Sequence, residues 1–268
     1  MALNESQQRF LQVLMSHGIM EDSAVRTLHR HCCEVHKVHY AHDKLDDFIG
    51  VINKHLQPLF MQIRKGTDEN DGRRYYALVN IAENDVTKMA TCYAENELEL
   101  FRKTMDLIID SDNGFASSTN ILNLADQLQT KKMKKKEVEQ LLQDFVHEKW
   151  LIEKDGEYSL HTRCIMEMEH YIQRTYQDIV KTCDICHNIA IQGQLCDNCG
   201  IKIHLTCTAT YFKGQAEPRC PQCAEAWSQE IPRLAQSDSQ TPSTSQKDRR
   251  SGGRRGSSVA AATRSRRS

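Results

Sequence analysis

Seven of the eleven cysteines and one histidine fall into a single array, Cys183-x2-Cys186-x9-Cys196-x2-Cys199-x4-His204-x2-Cys207-x12-Cys220-x2-Cys223. Eight soft ligands in paired spacing suit two tetrahedral zinc ions, because each ion takes four thiolates or imidazoles at about 2.0–2.3 Å. An x2 step lets one tight turn aim both ligands of a pair at one metal. In an interleaved module the first and third pairs share one ion and the second and fourth share the other. That arrangement assigns Cys183, Cys186, His204 and Cys207 to one zinc, and Cys196, Cys199, Cys220 and Cys223 to the second. Both sites are then full, with no coordination position left for a catalytic water, so the two Zn2+ are structural. A segment of about fifty residues has too little apolar core to stand alone, and metal binding worth roughly 10 kcal/mol or more per zinc supplies the difference.

The chain of 268 residues is 39% hydrophobic and 26% charged, a globular composition. No apolar run approaches the ~18 residues of a membrane span, so no membrane partner is expected. The N-terminus MALNESQQRF lacks a charged-then-apolar secretory pattern. A reducing compartment is therefore expected, where cysteines serve as metal ligands rather than disulfides. Cys32, Cys33, Cys92 and Cys164 share no ligand spacing and read as core or surface thiols. The net charge of −1 conceals a split: residues 236–268 hold eight Lys/Arg against Asp238 and Asp248, which makes the tail +6 and leaves −7 for the first 235 residues. This Ser-, Gly- and Arg-rich tail has no aromatic residue and reads as disordered. It serves as a solubilising end, or for nuclear import or nucleic-acid attachment.

Two stretches before the array share one order of elements. In the second, Leu98, Phe101, Met105 and Ile108 recur at helical spacing, Asp112-Asn113-Gly114 ends that helix, and Ser117/Ser118 can cap the next, STNILNLADQL. A third helix carries Val138, Leu141, Leu142 and Phe145 on one face. WLIEKDGEYSL then reads as a hairpin about Asp155-Gly156, and a closing helix carries Ile165, Met168 and Ile172. Three helices and a hairpin wing describe a winged-helix domain. The first stretch repeats the plan less clearly: SQQRFLQVLMSHG, DSAVRTLHRHCCEVH and KLDDFIGVINKHLQPLF as helices, then MQIRKG and RRYYALVN flanking the polar turn TDENDG as a second wing. The expected architecture is mainly α with small β wings: winged-helix domains at 1–92 and 93–178, a cross-brace zinc domain at 179–232, and a disordered basic tail at 233–268.

Lys131, Lys132, Lys134, Lys135 and Lys136 stand at the entrance to the third helix of the second domain, where winged-helix proteins place their recognition helix. Lysines there oppose the positive end of the helix dipole. Phosphate binding would offset that cost through counterion release, which makes the five candidate DNA contacts; a solvated charge run is the other reading. The Arg/Asn/Gln set of base reading is missing, so any DNA contact should be weakly sequence-specific.

The ligand order occurs in PHD fingers and in RING-like fingers. PHD fingers place a Trp two residues before the seventh ligand, where this chain has Pro218, while Cys220-Pro221-Gln222-Cys223 is similar to the Cys-Pro-x-Cys of RING domains. Ile185, between the first two ligands, stands where RING domains contact a ubiquitin-conjugating enzyme, and Pro221 would complete that patch; ordinary knuckle packing is the alternative. Over residues 183–232 the chain resembles the non-SMC element 1 family. The resemblance extends through KMATCYAENELELFRK, DSDNGFASSTNILNLADQL, CDICHNIAIQGQLCDNCGIKIHLTC and AEPRCPQC. It implies a RING-type ubiquitin ligase subunit of the structural maintenance of chromosomes 5/6 complex. It also implies tandem winged-helix domains gripping a MAGE-family partner (non-SMC element 3), a kleisin subunit alongside, and nuclear work on chromosomes and telomeres in DNA double-strand break repair by homologous recombination. No catalytic residue is assigned, since such ligases form no covalent intermediate. Active RING ligases often carry Arg or Lys just after the eighth ligand, where this chain has Ala224, so weak activity is expected until the partner binds. A non-catalytic zinc adaptor and a DNA- or chromatin-binding subunit are the rival readings.

Overall fold

The structure, a computed structural model, describes residues 2–81 and 93–232. Cys92, the expected domain boundary at 92/93 and the tail at 233–268 fall at or outside those limits. The first unit runs α1 (Glu5–His17), β1 (Ile19–Glu21), α2 (Asp22–Val35), α3 (Leu45–Leu56), β2 (Met61–Thr67) and β3 (Arg74–Asn80). Asn4 starts α1 by a reciprocal cap: its Oδ1 accepts from the Gln7 N–H at 2.9 Å, and Gln7 Oε1 accepts from the Asn4 N–H at 3.1 Å. The apolar stripes of the three helices meet in a core of Phe10, Leu14, Val25, Leu28, Ile49 and Ile52, roofed by Ile63 and Tyr76 from the hairpin. β1 has only three residues and no alternation to announce it; it forms by pairing with β3, giving a three-stranded sheet in the order β1-β3-β2.

The second unit repeats the connectivity: α4 (Glu95–Asp110), β4 (Ala116–Ser117), α5 (Ser118–Leu122), α6 (Lys135–His147), β5 (Leu151–Lys154), β6 (Glu157–Leu160) and α7 (Thr162–Thr175). Its sheet order is β4-β6-β5, the counterpart of the first, and both units have the connectivity of a winged helix. Ser117 caps α5 by accepting from the Asn120 N–H at 3.2 Å. The helix expected through STNILNLADQL is shorter: it gives way at Asn123 to a 3-10 turn, Asn123–Asp126, in a stretch whose short polar side chains compete for backbone groups. Phe101, Phe145 and Trp150 form the aromatic centre of the core. Cys32, Cys33 and Cys164 are buried thiols within these units. No helix among the described residues is long and apolar enough to cross a membrane.

Helix α7 has two occupied faces. Cys164, Met168 and Ile172 point into their own core, while Met166 packs against Ala77 and Val79 of the first unit's sheet. Ile165, expected on the core stripe, is only half-buried beside it. Arg64 of β2 pairs with Glu169 and donates to the Met166 carbonyl at 3.2 Å. Gly66 lies so close to this helix that a Cβ there would meet Met166 Sδ at 2.5 Å.

The C-terminal module contributes β7 (Lys181–Thr182), β8 (Ile189–Ala190), β9 (Gln194–Leu195), β10 (Lys202–Ile203) and α8 (Leu205–Tyr211). Two short hairpins, β7-β8 and β9-β10, surround Ile203, Phe212 and Trp227. Ile189 and Ile191 turn the other way and join the core of the second winged-helix unit. At the same place a Cβ on Gly114 would meet Gln192 Cγ at 2.7 Å, so the turn after α4 approaches the module at backbone distance.

Candidate metal centre

The four ligand pairs are aimed by local backbone. After each Cys-x2-Cys step the next residue takes a positive φ: His187 at 60°, Gly200 at 71° and Ala224 at 60°. Its N–H returns to the carbonyl of the first cysteine, at 2.8, 2.8 and 3.0 Å respectively. This closed turn holds both sulfurs on one side. The remaining pair uses a helix instead: His204 immediately precedes α8 and Cys207 lies in its first turn.

Two groups of four result, Cys183/Cys186/His204/Cys207 and Cys196/Cys199/Cys220/Cys223, and within each the ligand atoms lie within 4.8 Å of one another. The first and third pairs therefore converge, as do the second and fourth. A tetrahedron with Zn–S bonds of about 2.3 Å has S···S edges of about 3.8 Å. Cys196 and Cys223 stand 3.7 Å apart and Cys199 and Cys220 3.6 Å apart, and these are ligand edges rather than hydrogen bonds. In the mixed site His204 Nδ1 is 3.2 Å from Cys186 Sγ and 3.9 Å from Cys207 Sγ. Donor types and spacing fit two zinc ions, each with a closed set of four.

The ligand sulfurs are not alike: Cys183, Cys196 and Cys223 are shifted toward the thiolate, whereas Cys199, Cys207 and Cys220 are shifted away from it. Burial of Cys183 opposes ionisation, while the backbone N–H groups of Cys186, His204 and Ile185 point at its sulfur and favour the thiolate. Cys223 reaches about 6 through a hydrogen bond from the Asn198 side chain and the backbone of Glu225.

One contact reaches the mixed site from far away in sequence. His204 Nε2 faces Ile189 O at 2.9 Å and Glu69 Oε1 at 3.1 Å. Since carbonyl and carboxylate only accept, Nε2 carries the hydrogen and Nδ1 is free for the metal. Glu69 sits at the tip of the first wing. Its two oxygens also accept from the N–H groups of Ile191 at 3.0 Å and Gln192 at 2.8 Å. The neighbouring Asp68 accepts from Thr162 Oγ1 at 2.9 Å, and both acidic side chains are 7% exposed. Lys202 Nζ donates to the Ile191 carbonyl at 2.7 Å, and although burial lowers its affinity for the proton, nearby Glu69 favours the charge. The turn TDENDG thus docks into protein rather than standing out as a wing. Glu69, Asp68, Lys202 and Gly114 carried no ligand motif; the one sequence signal was a carboxylate pair inside an otherwise ordinary turn.

The other sequence-derived residues lie elsewhere. Ile185 is half-buried against the module's own core, and Pro221 is half-buried in the fourth knuckle. Lys131, Lys132, Lys134, Lys135 and Lys136 are all exposed at the start of α6, where Glu137 accepts from the Lys134 N–H at 2.9 Å.

Residues 7–168 match the family described as "Nse1 non-SMC component of SMC5-6 complex", and residues 183–223 match a RING-like domain. The chain is 72% identical over 244 residues to the Non-structural maintenance of chromosomes element 1 homolog of Xenopus laevis, covering 91% of this chain and 90% of that protein. To the homolog of Homo sapiens it is 57% identical over 232 residues, with 87% of each covered. A chain in a solved Nse1-Nse3-Nse4 complex superposes with a TM-score of 0.79 at 71% identity, spanning 86% of this chain and all 100% of the other. With the stretch before the zinc module and the module itself both matched, the chain belongs to the Nse1 family of non-SMC components of the SMC5-6 complex.

Proposed function

We propose that this chain is a RING-type ubiquitin-protein ligase subunit of the SMC5-6 complex. It binds a MAGE-family Nse3 subunit and a kleisin Nse4 subunit, as the similar chain of the solved complex is assembled. It works in the nucleus, on chromosomes and telomeres, in double-strand break repair by homologous recombination. The observation that carries the reading is the RING-like module itself: two closed four-ligand groups leave no site for metal-bound water and shape a rigid surface instead. On that surface Ile185 and Pro221 are offered to a ubiquitin-loaded conjugating enzyme. The ligase then acts by orientation: a substrate lysine amine attacks the thioester carbonyl, an amide bond forms, and the conjugating enzyme's thiol leaves. Ala224, with its φ of 60°, presents no side-chain donor to ubiquitin, which makes activity dependent on the partner.

A ubiquitin-discharge assay on the zinc-loaded chain, with and without the MAGE-family partner, tests this. Slow discharge alone, faster discharge with the partner, and a loss on the order of tenfold for Ile185→Ala are expected, while Ala224→Arg should raise the rate without partner. Equal inertness with and without the partner, across a panel of conjugating enzymes, would leave a zinc adaptor. A second reading, DNA attachment through the five exposed lysines at the start of α6, predicts gel-shift affinity that falls steeply with salt and flattens when their charges are removed.

A further inference from the structure

We propose that Glu69 makes occupancy of the mixed Cys183/Cys186/His204/Cys207 site, and not of the all-cysteine site, the condition for docking the first winged-helix unit onto the zinc module. The inference needs the metal site but not ligase activity. One carboxylate at the tip of the β2–β3 hairpin accepts three N–H donors, from His204, Ile191 and Gln192. It has left water to do so, being 7% exposed, and a buried carboxylate needs those donors kept in place. A metal on Nδ1 holds the His204 ring in one orientation and one tautomer, and withdraws electron density so that Nε2–H donates more strongly. Without the metal the ring is free to turn and to change tautomer, and the Glu69 oxygen loses a fixed partner. Ile191 lies in the loop after β8, and Ile189 both accepts from His204 and packs into the second unit's core. Glu69 therefore ties three bodies at one junction: the first wing, the metal ligand, and the strand seated on the second unit. By reciprocity, whatever loosens the wing weakens metal retention by the same factor. The all-cysteine site has no such link among the described residues; its neighbours Asn198, Glu225 and Trp227 belong to the module itself.

The test uses the full chain loaded with cobalt, because a site of three cysteines and a histidine differs from an all-cysteine site in its visible absorption, so the two report separately. In equilibrium competition with EDTA, Glu69→Gln should hold cobalt at the mixed site about 10–100-fold more weakly than the native chain, with the all-cysteine site unchanged as the internal control. In the converse arm, zinc-loaded Cys186→Ser and Cys199→Ser chains, each lacking one exposed ligand, are compared by hydrogen exchange. Cys186→Ser should deprotect residues 61–80 and the amides of Ile191 and Gln192, while Cys199→Ser leaves them protected. Equal release from both sites, unchanged retention at the mixed site, or equal deprotection by the two cysteine variants would each overturn the proposal. If Glu69→Gln fails to fold, the cysteine pair alone decides it.

Discussion

In the first wing the turn residues Asp68 and Glu69 are 7% exposed and reach α7 and the zinc module, whereas in the second wing Asp155 stands in solvent at the tip of an equally regular hairpin. The connectivity before each wing is the same, helix–strand–helix–helix, so the difference is not in the local fold. It lies in the neighbours that each hairpin meets in space. The first sheet has α7 laid across it, with Met166 on Ala77 and Val79, and its tip reaches the ligand His204. The second hairpin has its partner β4 on one side, while the far turn has nothing comparable to bury against. One supersecondary plan therefore serves as an internal clamp in one copy and as a free edge in the other, and the choice is made by two carboxylates finding donors.

The comparison can be broken most decisively at the clamp. Glu69→Ala leaves the N–H groups of Ile191 and Gln192 without acceptors, and an orphaned buried donor costs about 1–3 kcal/mol. Thermal unfolding should show a large loss for this variant, while Asp155→Asn, which tolerates the same left-handed backbone (φ 55°), should stay within about 0.5 kcal/mol. Equal effects would erase the distinction between the wings. A smaller effect separates space from dihedral. Gly66→Ala forces Met166 aside and should cost about 1–3 kcal/mol by overpacking. Gly156→Ala meets nothing closer than Ser118 Oγ at 3.8 Å and should lose about 1–2 kcal/mol through its φ of 81° alone. The two are told apart by shortening the neighbour: Met166→Ala should rescue Gly66→Ala and leave Gly156→Ala untouched.

The gentlest probe is pH. Burial holds the His161 ring, which caps α7 and meets Tyr75 of the first wing edge-on, at about 4, with Asp68 opposing and Lys149 and Arg163 adding to the shift. The unfolded chain, with an ordinary value of 6.5, takes up its proton first. Stability present above 6.5 therefore drains away as pH falls toward 4. His161→Asn, which can still cap the helix, should remove about 1 kcal/mol of that loss at pH 5.5, measured with zinc in excess so that ligand protonation affects both chains alike.

Much of this was legible along the chain. The helices α1 to α4, α6 and α7 follow from apolar spacing and the two hairpins from their turn residues. The short strands β1 and β4 were not, because two or three residues carry no periodicity and pair only when a distant strand arrives. The shortened α5 escaped because its apolar residues suit a longer helix, whereas the chain passes into a 3-10 turn from Asn123. The eight zinc ligands were legible in the x2 steps, whereas their division into two groups was taken from the plan of interleaved modules, since four such pairs can be joined two by two in three ways and spacing alone does not choose.

What the sequence by itself determined is local: which side chains form knuckles, which faces of the helices are apolar, which turns make hairpins. These depend on residues a few positions apart, whose geometry the backbone dictates. Only the tertiary structure decided that Glu69 meets His204, 135 positions away, and that Gly114 and Ile191 share one junction. An acidic residue in a polar turn has the same local conformation whether it ends in water or on a metal ligand. What separates the two outcomes is whether three N–H donors, held by other parts of the chain, converge to replace the water that it loses.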